Sequence, residues 1–250
     1  MAQARILRSL PLEDADAVAP GGGRRPLGRP HAIRQERASE AIPPPAHLGP
    51  GRAYERGRTL LAQGADRQEV FVVRRGLLRE AAVSLDGRWF VHGLLGPGDV
   101  FGSLTRSGPA PAGVRTLRPS EVITVPRLMM DELIHRHPDA AWWLLTRIER
   151  RLRRAQTATE ELAWHEVPGR VRRRLLVLAH QHGRRTSDGI RIDVPLTQED
   201  LAAMVGAARE TVNRTIVSLI STGFVRVENR RYILREAFLD RAADEGESTP

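Results

Sequence analysis

Cysteine and lysine are both absent from this chain, so every one of its 39 basic side chains is an arginine. Without a thiol there is no disulfide framework, no thiolate nucleophile, no cysteine-held iron–sulfur cluster and no cysteine-based zinc site. Long apolar runs are missing as well. The longest, Ala140 to Leu145, has six residues, far below the ~20 that a membrane-spanning helix needs. The N-terminus has no apolar h-region, so it does not read as a secretory signal, and cytoplasmic residence is the expectation.

What is present is a chain of 250 residues, 41% hydrophobic and 28% charged. That balance is globular, and the length suits one large domain or two small ones. The net charge of +9 suggests an anionic partner such as nucleic acid. An arginine-for-lysine skew beside abundant Ala, Gly and Pro also follows from a GC-rich genome, so location is more telling than the total. Residues 166–235 carry 13 Arg against 7 acids, a net of +6. Residues 1–50 carry 7 against 5, a net of +2, and the last fifteen carry one Arg and five acids.

Residues 1–50 contain eight prolines and the run Gly21-Gly22-Gly23. Such a segment buries too little apolar surface to offset its ordering entropy. It reads as a disordered leader, with a short helix near Ile6–Leu12 as its one ordered candidate. Residues 51–137 read as a small all-β unit, in which apolar runs alternate with glycine turns. The runs are Thr59-Leu60-Leu61, Val70-Phe71-Val72-Val73, Ala81-Ala82-Val83, Phe90-Val91 and Leu94-Leu95. Asp86-Gly87 between two of them is a hairpin signal, because glycine tolerates the positive φ such turns need.

At Pro126 the period shifts toward helix, with Asp131 to His137 forming one short helix. Pro138 then suits the first turn of a longer one, since its missing N–H would be unpaired there. Over residues 138–165, Ala141, Leu145, Ile148, Leu152, Ala155, Thr159 and Leu162 recur at spacings of 4, 3, 4, 3, 4 and 3. This 3.5-residue period predicts a narrow seam against a like helix, in a parallel homodimer. Arg150, Arg151, Arg153 and Arg154 lie off the seam as solvated charges. Trp142, Trp143 and Leu144 flank it and supply a second, intramolecular face. Pro168-Gly169 breaks the helix. Arg170 to His182 is again helical, with Val171, Leu175, Leu178 and Ala179 on one face. Gly183 to Gly189 reads as a polar loop, and Ile190 to Val194 as a short strand.

Thr197–Val205 and Arg209–Ser221 are two helical patterns joined by Gly206-Ala207-Ala208, a helix-turn-helix candidate. Thr197 caps the first helix, with Asp200 three residues on completing a short capping box. Leu201, Ala202 and Val205 face inward. Phe224–Val227 and Arg231–Leu234 form a terminal hairpin, the wing of a winged helix spanning 166–240. An acidic tail, 241–250, follows. In such motifs the start of the second helix reaches base edges in the major groove. Arg209 and Arg214 offer the planar fork that matches guanine O6 and N7, and Glu210 can accept from cytosine N4. Thr197, Gln198, Thr211 and Asn213 suit phosphates, which fix register without reading sequence.

Residues 52 to about 235 resemble the CRP/FNR family. The resemblance rests on Tyr54, Gly57, Thr59, Gln63-Gly64, Gly76, Gly87, Gly98-Asp99-Val100-Phe101-Gly102, Pro138-Asp139 and Gly169-Arg170. It continues through Thr197-Gln198-Glu199-Asp200-Leu201, Val205-Gly206 and Arg209-Glu210-Thr211-Val212-Asn213-Arg214. It implies an α+β chain: an N-terminal β-roll of the cyclic-nucleotide-binding type (a double-stranded, jelly-roll-like β-helix), a long dimerisation helix and a C-terminal winged helix on double-stranded DNA. It also implies that Arg209, Glu210 and Arg214 read a TGTGA-type half-site within a palindrome. The loop Gln181–Gly189 aligns with a surface that touches RNA polymerase.

The chain departs from the cyclic-nucleotide-binding members in three places. Gly102-Ser103-Leu104 puts serine where the resemblance expects a ribose-binding glutamate. Ala110-Pro111-Ala112 has no arginine for the cyclic phosphate, which then lacks its charged bidentate partner; Arg106 and Arg115 are the nearest substitutes. Ala155 stands where a purine-contacting threonine is expected. These departures predict no cAMP or cGMP binding in the usual manner and leave the effector open, as another small molecule or none. The lack of cysteine removes cluster-based sensing. Haem would need an axial ligand, for which His92 is the candidate. The competing reading is a cupin-like metalloenzyme. Against it, His135 and His137 fall in an expected helix, where i and i+2 point apart. Glu161 and His165 alone are an incomplete metal set. No glycine-rich phosphate loop or nucleophile elbow is present, so the expectation is a regulator and not an enzyme.

Overall fold

The computed structural model describes residues 48–66, 68–103, 108–229 and 231–235. The expected leader up to residue 47, with its short helix, and the acidic tail lie outside the described residues, as do Leu104 and Arg106.

Eight strands come first: β1 (Arg52–Tyr54), β2 (Thr59–Leu61), β3 (Glu69–Arg75), β4 (Leu78–Val83), β5 (Trp89–Leu95), β6 (Val100–Gly102), β7 (Gly113–Thr116) and β8 (Ser120–Pro126). They form two antiparallel sheets, ordered β1-β8-β3-β6 and β2-β7-β4-β5. Side chains alternate across a strand, and β3 uses both faces. Phe71 and Val73 join Leu78, Leu95, Phe101, Val114 and Val122 in one apolar cluster. Val70 and Val72 face the other way, onto Val100, Ile123, Val125, Met130, Trp143 and Leu144. The continuous run Val70–Val73 is thus a strand buried on both sides, each side chain worth roughly 1.5–3 kcal/mol. The hairpin expected at Asp86-Gly87 joins β4 to β5, with Gly87 at φ 81°. Phe90-Val91 and Leu94-Leu95 belong to one strand, β5. Its register shifts opposite Glu80 and Ala81, a bulge that takes up His92.

Three helices follow: α1 (Arg127–Arg136), α2 (Pro138–Trp164) and α3 (Val167–His182). α1 begins four residues before the expected start at Asp131. Its first turn carries exposed Leu128 and Met129, while Met130, Leu133 and Ile134 turn inward onto the β-roll cluster, so apolar residues lie on both sides of its start and blur the period. The break between α2 and α3 falls at His165-Glu166, and Pro168-Gly169 sit inside the first turn of α3. Proline is tolerated there because no helical partner awaits its N–H. The expected polar loop at 183–189 is instead a hairpin of β9 (Gly183–Thr186) and β10 (Gly189–Ile192). β9 lacks apolar alternation because it is mostly solvent-facing; it is held by its pairing to β10, whose Ile192 and Ile190 join the C-terminal apolar cluster.

The remaining elements are α4 (Gln198–Val205), α5 (Arg209–Ser221), β11 (Val225–Glu228) and β12 (Arg231–Leu234). The last two strands close a sheet ordered β11-β12-β10-β9. The third apolar cluster lies here, with Val171, Leu175, Leu201, Val212, Ile216 and Leu234 among its most buried members. It also takes in Leu77 and Val91 of the β-roll. The C-terminal helices therefore pack on the β-roll, chiefly α4 against β5.

Candidate DNA interface and effector pocket

The two short helices are fixed by local chemistry. Thr197 Oγ1 accepts the Asp200 N–H at 3.0 Å, while the Asp200 carboxylate accepts the Thr197 N–H at 2.9 Å and its hydroxyl at 2.8 Å. This capping box satisfies orphan donors at both partners. α4 ends at Gly206, whose φ of 63° and ψ of 48° are left-handed, a conformation that favours glycine. The inward residues Leu201, Ala202 and Val205 are buried, and so are Ala203 and Met204. α4 is covered by β5 as well as by its own domain, so its apolar stripe is wider than the usual one.

α5 divides cleanly into two faces. Val212, Thr215 and Ile216 are buried. Arg209, Glu210, Asn213 and Arg214 are exposed, and Thr211 is half-buried. Among the described residues, no ion pair holds the Arg209, Glu210 or Arg214 side chains. Gln198 Nε2 donates to Asn213 Oδ1 at 3.1 Å, which joins two of the expected phosphate contacts across the turn. The Thr197 hydroxyl is committed to the cap.

The expected effector residues sit in the β-roll and on α2. Gly102 has φ 96°, and a side chain there would collide with the Glu69 carbonyl. Ser103 and Ala110 are buried at 3% and 2% exposure. Their backbone N–H groups donate to Glu69 O at 3.0 Å and Ala65 O at 2.9 Å. Ala155 is exposed on α2. Two arginines expected to be simply solvated are anchored instead. Arg151 donates to both Glu80 carboxylate oxygens at 2.7 and 2.8 Å and to Val100 O at 3.1 Å. Arg154 pairs with Asp99 at 3.1 Å. Glu80 is buried, and sequence reasoning missed it. Its one signal was a carboxylate on a strand between Leu78 and Ala81-Ala82.

Along the expected seam, Leu145, Ile148, Leu152 and Leu162 are 40–56% exposed; Ala155 and Thr159 are exposed too, while Ala141 is half-buried. Trp143 and Leu144 are buried against the β-roll, but Trp142 is 71% exposed and does not share that face. One helical step of 100° separates it from Trp143 and turns it outward.

A second set of contacts joins the domains. Arg79 on β4 donates to Asp200 in the first turn of α4, with side chains 13% and 11% exposed. Arg118 pairs with Asp193 at 3.6 Å. His182, at the end of α3, is pushed down to about 4 by burial, helped by Arg118 and Arg154 and opposed by Asp99. His92 lines a space of about 20 Å³ with Phe90, Val91, Leu162 and Met204, room for roughly one water molecule, so it does not fit a haem. Among the described residues no three His, Cys, Asp or Glu side chains gather as metal ligands. His135 lies exposed on α1, and Glu161 pairs with Arg174 at 3.6 Å.

Comparison with known proteins agrees with this layout. The profile of the cyclic nucleotide-binding domain matches residues 51–137, and that of the Crp-like helix-turn-helix domain matches 169–242. A CRP-like cAMP-activated global transcriptional regulator of Mycobacterium tuberculosis (strain ATCC 25618 / H37Rv) is 30% identical over 74% of this chain and 83% of its own length. The chain belongs to the CRP/FNR family of transcription regulators. The cyclic AMP receptor protein of Thermus thermophilus is 32% identical over 75% of this chain and 85% of its own. A solved CRP-family transcriptional regulator, also from Thermus thermophilus, superposes with TM-score 0.67 at 26% identity, over 77% of this chain and 96% of that one. As a CRP/FNR regulator the chain binds DNA through its helix-turn-helix, and the family is one of regulators and not of enzymes. No helix among the described residues is long and apolar enough to cross a membrane.

Proposed function

We propose that this regulator acts in the cytoplasm as a homodimer on a palindrome of TGTGA-type half-sites. Residues 51–137 form its sensory β-roll, 138–165 the dimer helix and 166–240 the DNA-binding unit. The observation that carries the reading is the face of α5 on which Arg209, Glu210, Asn213 and Arg214 stand exposed opposite a buried apolar stripe. Arg209, Glu210 and Arg214 read bases, and Gln198, Thr211 and Asn213 hold phosphates; Thr197, expected among the phosphate contacts, gives both its N–H and its hydroxyl to Asp200 and serves as the cap. Two copies meet along Ala141, Leu145, Ile148, Leu152, Ala155, Thr159 and Leu162, whose exposed leucines and isoleucine are what such a seam buries. That pairing sets two α5 helices about one turn of DNA apart. The segment Gln181–Gly189, the end of α3 and the first half of the following hairpin, is the surface offered to RNA polymerase.

The Mycobacterium tuberculosis relative is cAMP-activated by name, and this chain is proposed not to be. Ser103 and Ala110 supply neither the carboxylate nor the guanidinium that the family resemblance expects, and Ala155 cannot replace a hydroxyl. Arg151, four residues before Ala155 on α2, is already bound to the buried Glu80 carboxylate. Titration calorimetry with cAMP is expected to give no saturable heat at micromolar ligand; clear saturation would overturn this part. The DNA reading is tested with Arg209→Ala. Its affinity for operator is expected to fall by about 1–3 kcal/mol with relaxed base choice at one position. Equal losses on operator and scrambled duplex would remove the base-reading role.

A further inference from the structure

We infer that Val217 is a further base-reading residue of α5 and that it recognises a thymine through its 5-methyl group. The inference rests on the reading of α5 as the helix that enters the major groove. Val217 is 60% exposed. It follows Glu210 by seven residues and Arg214 by three, so at 100° per residue it shares their outward face. The opposite face is fully accounted for by the buried Val212, Thr215 and Ile216 and the half-buried Leu219. No packing requirement therefore places an apolar residue at 217. Local helix preference does not either, because a β-branched side chain is a poorer helix former than alanine or arginine.

What an outward valine offers at that point is an apolar surface amid charged and amide groups. In the major groove the one apolar group that distinguishes a base pair is the thymine methyl. The helix rises ~10.5 Å from Glu210 to Val217, about three base-pair steps. Helical side chains lean toward the N-terminus, so Val217 covers surface beside Arg214. The thymine it meets therefore lies next to the pair read by Arg214, on the side away from Arg209. Ile220, 44% exposed, stands one turn on and toward the edge of this face.

The experiment enriches an operator from a random duplex library with the full chain, then replaces each thymine in turn by uracil, which deletes only the methyl. Affinities of the wild type, Val217→Ala and Arg209→Ala are compared by fluorescence anisotropy, with circular dichroism as the fold check. Wild type is expected to lose about fourfold at one thymine, the factor for burying one methyl-sized group. Val217→Ala is expected to be indifferent to that replacement, and Arg209→Ala to keep it. A consensus without a thymine there, no sensitive thymine, or full sensitivity retained by Val217→Ala overturns the inference while leaving the reading of Arg209 intact. No enriched sequence, or unchanged discrimination in Arg209→Ala, overturns the reading of α5 and this inference with it.

Discussion

The pair Arg79–Asp200 joins residues 121 apart in sequence and ties the first helix of the helix-turn-helix to the β-roll. Its loss is predicted to loosen the two domains. Both side chains are nearly buried, at 13% and 11% exposure. Asp200 keeps its two bonds from Thr197 when Arg79 is removed. The cost is therefore below the roughly 3–5 kcal/mol of stranding a buried charge with no other partner. A hydrogen bond to a charged group is worth about 1.5–3 kcal/mol. The Arg79 guanidinium also lies 4.7 Å from the Trp89 ring, which adds about 0.5–1 kcal/mol. Arg79→Ala alone loses both terms, so the pair is isolated by a double-mutant cycle with Asp200→Asn, which retains an acceptor for the cap. Four proteins unfolded in urea give the coupling, expected at about 1.5–3 kcal/mol. A coupling under about 0.5 kcal/mol would show that the charge pair does not hold α4 on the β-roll, and the reasoning would fail.

Leu152→Asp is expected to leave the fold of one chain intact, because Leu152 is 56% exposed there, yet to give monomers in sedimentation where wild type gives dimers. Wild-type monomers at micromolar concentration would refute the seam. Gly189→Ala should cost about 1–3 kcal/mol in thermal or urea unfolding, since φ is 134° and the new Cβ would collide with the Leu234 carbonyl; an unchanged midpoint would contradict it. His182 titrates at about 4 in the fold against 6.5 outside it. Above 6.5 both states are neutral and it contributes no pH slope. As pH falls from 6.5 toward 4, the unfolded chain takes up a proton that the folded one refuses, so stability drops by up to about 1.4 kcal/mol per unit. His182→Asn should flatten that part of the profile, measured by urea midpoints across the range; an unaltered slope would assign it elsewhere.

The parts that could be read without coordinates share a short range. The capping box of Thr197 and Asp200 spans three residues. The left-handed Gly206 ends α4 within the same dozen residues, and the buried stripe of α5 follows a 3.6-residue period. Each signal is complete inside its own segment, so residue order alone suffices. The apolar period of α2, with its exposed Leu145, Ile148 and Leu152, is legible for the same reason. Strand β9 was not, although the following strand was expected at Ile190–Val194, because the β9 ladder is made by backbone groups that every residue carries.

Sequence by itself determined the CRP/FNR likeness, the two candidate arginines of α5 and the three departures in the effector pocket, because identity and local spacing are properties of the chain. Tertiary structure alone decided what surrounds them. Glu80 and Arg151 are 71 residues apart, and Arg79 and Asp200 are 121 apart. No local rule pairs a carboxylate with one distant guanidinium when 39 basic side chains, all arginine, compete for it. Packing of α2 and α4 on the β-roll selects the partner by bringing each arginine to a nearly buried carboxylate, where an unpaired charge would be costly. Packing of α5 through Val212, Thr215 and Ile216 onto its own domain leaves Val217 bare and turns a helix-propensity oddity into a candidate contact.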